Sequence, residues 1–359
     1  MAQGIPDADD AARIVDEAMA LCGIAAPTFA ERARGEAVLD QLHALRLDAR
    51  FDDAGNVVAR IGEDGPALAL CAHLDTVFPA DTPLAVTRDE LRLVGPGIGD
   101  NALGIAALLH VARELAVAPP ASPVLLAFTV GEEGLGDLRG VRALLDREPV
   151  RALIAVEGHG VDSLAIGGIA SVRYRVTATG PGGHSWTDRG RPSAIHALIA
   201  AGGRVLDAAP PAAINIGTIE GGTSVNAIAD RAELLIDVRH GDPSVVAAAA
   251  SRVEQALAVD VPAGIAIASE QVGNRPGGAN AADEPLLEQA RAARTAVGLA
   301  PAEEHLASTD ANAAHARGIP AVGIGITRGD NAHRPDEWIA IEPIAQGVGA
   351  LLALVRAAT

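Results

Sequence analysis

The chain has 359 residues, 49% hydrophobic and 21% charged, which suits one large or two medium folded domains and excludes a disordered chain. A net charge of -18 with 2% aromatics argues against nucleic acid, an anionic membrane surface or base-stacking platforms as partners. There is no basic-then-apolar leader, no apolar run long enough for a bilayer, and no disulfide framework from Cys22 and Cys71, so the chain reads as cytoplasmic.

Helical periodicity covers about Asp7 to Leu21. A second helix is expected from Pro27-Thr28 to about Leu47, with Thr28 and Glu31 at capping-box spacing. A turn at 51–55 and a strand from Asn56 to Ile61 lead to the run Ala67-Leu-Ala-Leu-Cys-Ala-His73-Leu-Asp75. Its unbroken apolar stretch reads as a strand buried on both faces. Short strands near 84–86 and 91–94 precede the loop Gly95-Pro-Gly-Ile-Gly-Asp100-Asn101 and an apolar helix from Ala102 to Leu115. A buried strand, Pro123 to Val130, ends at Gly131-Glu132-Glu133-Gly134; after a helix near Gly140 to Leu145, another, Ala152 to Val156, ends at Glu157-Gly158-His159. Strands alternating with helices predict a mostly parallel sheet, whose ligands gather beyond the strand carboxyl ends.

After Gly168 the texture changes. Ile169 to Thr179 alternates like a strand with one wet face, and strands and helices then follow in the order β-α-β-β-α-β to about Glu270. From Glu284 helices and a short buried strand, Ala321 to Ile326, return, and the chain ends in a helix from Pro343 to Ala357. The expected architecture is α/β: a catalytic domain (1–168 and 277–359) with a mostly parallel mixed sheet flanked by helices, interrupted by an α+β ferredoxin-like domain (169–276).

Each polar residue at this sheet edge has an ordinary structural alternative. His73 could simply end a strand, Asp100 could cap a helix, the Glu132–Glu133 pair could be a solvated turn, and Glu157 and His333 could lie on the surface. Their joint placement at one sheet edge is the informative observation. On an extended backbone Asp75 shares a side with His73 and is placed to accept its ring proton, leaving the other nitrogen for a ligand. Two imidazoles and three carboxylates with open positions suit zinc, cobalt or manganese. A neighbouring Glu is then free to act as a base.

In order, His-x-Asp after a buried strand, Gly-Pro-Gly-Ile-x-Asp, Gly-Glu-Glu-Gly, a strand-end acid, Gly-Pro-Gly-Gly-His-Ser, Gly-Gly-x-x-x-Asn followed by Asp-x-Arg, and a late His span almost the whole chain. This ordered set resembles the M20 metallopeptidases and their deacylase, aminoacylase and dipeptidase relatives. The resemblance implies two divalent ions per chain: His73 and Glu157 on one, Glu133 and His333 on the other, Asp100 bridging. It implies a metal-bound water attacking an amide carbonyl, with Glu132 as general base and Asp75 orienting His73. It makes the inserted domain a lid and dimerisation domain, whose His184 reaches the partner subunit's site to stabilise the oxyanion, and it assigns Asn226 and Arg275 to substrate binding. The implied substrate is a small carboxylate-bearing amide, an N-acyl amino acid or short peptide.

Two departures stand out: Ala102 occupies a position where many relatives have Lys, and Gly158-His159 replaces a more usual Pro after the acid. A second reading is an amidase or deaminase acting on a non-peptide amide or aromatic amine. A third, a non-catalytic binding protein of the same fold, is disfavoured because all five ligand candidates and Glu132 are present.

Overall fold

All seven residues of the strand Ala67–His73 are buried. Its alternate residues serve two different cores, which is why the run shows no polar alternation. Leu68, Leu70 and Ala72 pack with the helices Ala8–Cys22, Leu103–Val117 and Ile344–Ala358, while Ala67, Ala69 and Cys71 pack with Leu138, Val141, Leu144 and Ala314 on the other face. Parallel neighbours flank it, Val124–Thr129 on one side and Val150–His159 on the other, and Ala321–Thr327 continues the parallel set beyond the latter. The outer pairs Ala49–Phe51 with Val57–Ile61, Val57–Ile61 with Val124–Thr129, and Ala321–Thr327 with Ser163–Gly168 are antiparallel. Glu303–Ala307 lies parallel to Ser163–Gly168.

This is a computed structural model, which describes residues 4–208, 210–281 and 284–359. The sheet belongs to a unit formed by Met1–Gly168 and Ala279–Thr359; Ile169–Gly278 forms a second unit. In the first, the helix Ala8–Cys22 starts where the Asp7 carboxylate accepts the Asp9 and Asp10 N–H groups, and buries Ile14, Val15, Ala18, Leu21 and Cys22 along one stripe.

The second unit has four antiparallel strands in the order Ala213–Gly221, Arg231–His240, Ala170–Thr179, Ala266–Arg275. The helices Ala194–Ala208 and Pro243–Ala258 cover one face, packing Leu198, Ala201, Val205, Val246 and Val253 against Val172, Tyr174 and Val176. The intervening Arg173 and Arg175 face the other side and pair with Asp237 and Glu233.

Three local expectations are corrected. The second helix is Arg32–Ala44, and Thr28 and Glu31 form no capping box; both side chains are drawn into buried contacts instead. The strand expected to stop before Glu157 runs on to His159, because Ala321–Thr327 pairs with it as far as Thr327 opposite His159. The strands Ser163–Gly168 and Glu303–Ala307, absent from the sequence reading, extend the sheet.

Candidate metal centre

His73 ends its strand at 3% exposure, directly opposite Thr129 at the end of the next strand. Its Nδ1 lies 3.0 Å from the backbone carbonyl of Asp75 and 3.6 Å from the Asp75 carboxylate. Both are acceptors, so Nδ1 carries the proton in the neutral ring and Nε2 is an acceptor. Yet Nε2 faces carboxylates, with Asp100 Oδ1 at 3.0 Å and Glu157 Oε2 at 3.5 Å. The other oxygen of Asp100 lies 3.0 Å from His333 Nε2, which is also 3.1 Å from Glu133 Oε1. Asp100 thus presents one oxygen to each imidazole. His73, Asp100 and Glu133 can each offer a ligand atom within 4.8 Å of the others.

The donor set fits divalent cations. Three carboxylates face two imidazoles, so acidic groups outnumber basic ones in the cluster. An acceptor nitrogen against an acceptor oxygen needs a cation or a proton between them. The titration behaviour expresses the same demand. Burial disfavours charge on His73, but Asp100, Asp75 and Glu157 outweigh it and hold the ring well above its ordinary value. Hydrogen bonds to Asp100 and Glu133 push His333 up to about 10. Burial raises Asp100, but His333 and His73 pull its carboxyl below the usual range. Glu157 stays raised, by burial first.

The Asp75 carboxylate ties the strand end to the Glu132–Glu133 turn. Its Oδ1 accepts the Glu132 N–H, and its Oδ2 accepts the Glu133 N–H and the Thr28 hydroxyl, all at 2.9 Å. The Glu31 carboxylate holds the same turn one residue earlier, accepting the Gly131 N–H at 3.0 Å and pairing with Arg139. Thr28 and Glu31 are therefore braces for this edge of the sheet. Glu132 itself is buried, 5% exposed, in that turn. His333 reaches the cluster from a left-handed backbone position, φ +67°, which costs a non-glycine residue on the order of 1–3 kcal/mol and turns an otherwise exposed loop inward.

One carboxylate that sequence reasoning missed lies against the same loop. Glu337, fully buried, accepts N–H groups from Gly97, Gly99 and Asp100 and pairs with His159 at 2.8 Å. Four residues after His333 in a polar stretch, it carries no periodic signal.

The remaining site candidates lie in the second unit. His184 sits opposite Ala227 in a two-residue ladder, with Asn226 adjacent, and its Nδ1 accepts the Trp186 and Thr187 N–H groups. The exposed ring therefore carries its proton on Nε2. Arg275, 3% exposed, lies at the opposite end of the four-stranded sheet, across from Ser171, whereas His184 follows Thr179. Eight extended residues separate those ends, roughly 25 Å. His184 and Asn226 are brought together within this unit; Arg275 is not brought to them.

A family model described as Peptidase family M20/M25/M40 matches residues 69–357. Among curated proteins, a probable carboxypeptidase of Aspergillus clavatus is 30% identical over 254 residues, 55% of each chain. A succinyl-diaminopimelate desuccinylase of Gluconobacter oxydans is 28% identical over 250 residues, 62% of this chain and 65% of that one. The chain spans about half the length of the curated relatives it matches first. Among solved structures, a Staphylococcus aureus tripeptidase has a TM-score of 0.74 at 22% identity, covering 97% of this chain and 98% of that one. A Bacillus subtilis protein described as a dinuclear metal binding peptidase has a TM-score of 0.66 at 20% identity, covering 98% and 99%.

Proposed function

We propose, from the premise that this chain belongs to peptidase family M20/M25/M40, that it is a hydrolase cleaving the amide bond of a small carboxylate-bearing molecule, an N-acyl amino acid or short peptide, with two divalent cations. The observation that carries the reading is Asp100, one oxygen 3.0 Å from His73 and the other 3.0 Å from His333. His73 and Glu157 would hold one ion, Glu133 and His333 the other, and Asp100 both. Imidazole and carboxylate donors favour zinc, with cobalt and manganese as alternatives. Bound there, such ions would supply Lewis acidity toward an amide carbonyl and toward water.

The chain's own residues supply the rest. Asp75 fixes the turn that carries Glu132 and Glu133. Glu133 pairs with His333, and Glu132, beside it on the same turn, would be the general base that takes a proton from the attacking water and passes it to the leaving nitrogen. His184, with its proton on Nε2, is suited to stabilise a developing oxyanion, and Arg275 to grip a substrate carboxylate through its planar fork. Arg275 pairs with Ser171 at one end of the four-stranded sheet, and Thr179, which leads toward His184, lies at the other, roughly 25 Å along the strand and longer than one small substrate. A second chain supplying His184 would let both act on one substrate, and in that arrangement the inserted unit would serve as lid and dimerisation domain. The edge strand Ala213–Gly221 and the helix beside it leave Ile219, Ile199 and Leu206 about half exposed, which suits a partner surface. Verified heterodimers of His184→Ala and Glu132→Gln chains are expected to regain activity that neither homodimer has; no recovery would sink the trans arrangement.

The test of the whole reading is elemental analysis followed by a hydrolysis screen of N-acyl amino acids and dipeptides with zinc, cobalt or manganese. Two ions per chain and turnover of one class are expected; a chain that stays metal-free and inert overturns it. Cation uptake should also release protons near pH 7. His73 and His333 are held above their ordinary value, so the metal-free rings are protonated there, and a cation needs them neutral. Affinity therefore rises with pH. Calorimetric titration in buffers of different ionisation enthalpy reads the released protons, and none released at pH 7 would contradict the assignment.

A further inference from the structure

Asp100 has a backbone that no regular element holds. Its φ and ψ, -118° and 82°, are not helical although it lies inside a helical turn. Its side chain must nevertheless keep two oxygens aimed at two imidazoles. The support comes from Glu337, 237 residues away in sequence, whose Oε1 accepts the Asp100 and Gly99 N–H groups at 2.8 Å and whose Oε2 accepts the Gly97 N–H at 2.7 Å. Gly97 adopts φ +79°, a left-handed position that turns its N–H toward the carboxylate without strain.

His159 completes the arrangement, with Nε2 2.8 Å from Glu337 Oε1. Its ring is fixed sterically: a Cβ at Gly99 would come within 2.3 Å of Nε2, and one at Gly329 within 2.3 Å of Nδ1. Glu337 is thus a fully buried acceptor for four N–H groups, three of them on the loop that carries Asp100. A charged acceptor with this many bonds is stiff, because moving the loop strands buried donors.

We propose that Glu337 is a positioning residue, held by His159, that sets where both carboxylate oxygens of Asp100 lie and thereby how tightly the second of two divalent cations is bound. The role presupposes the two-cation reading given above. It concerns ligand placement and assigns neither residue to the reacting atoms.

The experiment compares metal-free wild type, Glu337→Gln, Glu337→Asp and His159→Ala by calorimetric titration with cobalt(II) and by the visible absorption of the cobalt-loaded proteins. Gln keeps the size but turns an amide NH2 toward at least one backbone N–H. The weaker of the two binding steps is expected to fall roughly 10–100-fold in Glu337→Gln, with a changed cobalt spectrum and the stronger step less affected. Glu337→Asp, which keeps the charge, should recover part of the affinity, and His159→Ala should fall between the two. Packing loss alone would lower the melting temperature and leave the affinity ratio of the two steps unmoved. Wild-type affinities and spectrum in both Glu337→Gln and His159→Ala would overturn the positioning role while leaving the two-cation reading intact. A wild type that takes up no cobalt would overturn both. If Glu337→Gln does not fold, Glu337→Asp and His159→Ala decide by the same two readouts.

Discussion

Glu132→Gln is expected to lose roughly 10²–10⁴-fold in kcat while binding the same number of metal ions as wild type. Gln matches Glu in size and leaves the backbone N–H of residue 132 on Asp75, so the turn is preserved. What disappears is the ability to take a proton from water. In energy this is roughly 3–5 kcal/mol of barrier, within what a positioned base supplies. KM should change little, because the substitution removes no group assigned to substrate recognition. The adjacent Glu133→Gln is the control with the opposite profile. Glu133 Oε1 lies 3.1 Å from His333 Nε2, so its loss should weaken metal binding as well as turnover. Metal analysis beside steady-state kinetics separates the two. If Glu132→Gln loses metal and Glu133→Gln keeps it, the roles are reversed; if Glu132→Gln turns over normally, it is not the base.

Chemistry that coincides with a strand end is legible in a linear sequence. His73 follows six small or apolar residues, and the structure buries that run on both faces and stops the strand at His73. Glu132 and Glu133 follow Val124–Thr129 in the same way. The roles of individual residues came from the family resemblance, because spacing alone left Asp100 open as a helix cap; in the structure the cap position of the next helix is Ala102. Contacts made across the fold leave no local trace. Thr28 and Glu31 have capping-box spacing, yet a buried carboxylate and a buried turn compete for them and win, since desolvated charge-assisted bonds are stronger than an exposed cap. Glu337 is invisible for the same reason. Its four partners lie between Gly97 and His159, and only the packed sheet brings them together. The extension of the Val150–His159 strand is also set from outside, by pairing with Ala321–Thr327.

Asp75→Asn is expected to damage the site through the glutamate turn rather than through His73. Sequence geometry places the Asp75 carboxylate under the His73 ring, but Nδ1 lies closer to the Asp75 backbone carbonyl, 3.0 Å against 3.6 Å. Asn keeps that carbonyl, so the neutral tautomer of His73 survives. The carboxylate's three hydrogen bonds, from Glu132 N–H, Glu133 N–H and the Thr28 hydroxyl, do not all survive. One amide oxygen can replace one carboxylate oxygen, and the NH2 then meets a backbone N–H, donor against donor. A lost bond to a charged group costs roughly 1.5–3 kcal/mol, and a stranded buried N–H roughly 1–3 kcal/mol. The metal-free variant should therefore melt on the order of 5–10 °C lower. Its acid behaviour should change too. Burial pushes the Asp75 carboxyl up, but His73 and the two N–H groups pull it, on balance, below its ordinary value of 3.8. Such a group stabilises the fold above the unfolded value and loses that contribution as pH falls through the folded one, so Asn should flatten the acid limb of the stability profile. With metal supplied, turnover should fall on the order of 10–100-fold, with the affinity loss concentrated on the Glu133–His333 half of the site. An affinity loss confined to the His73–Glu157 half, with an unchanged melting temperature, would return the carboxylate to the task of orienting His73.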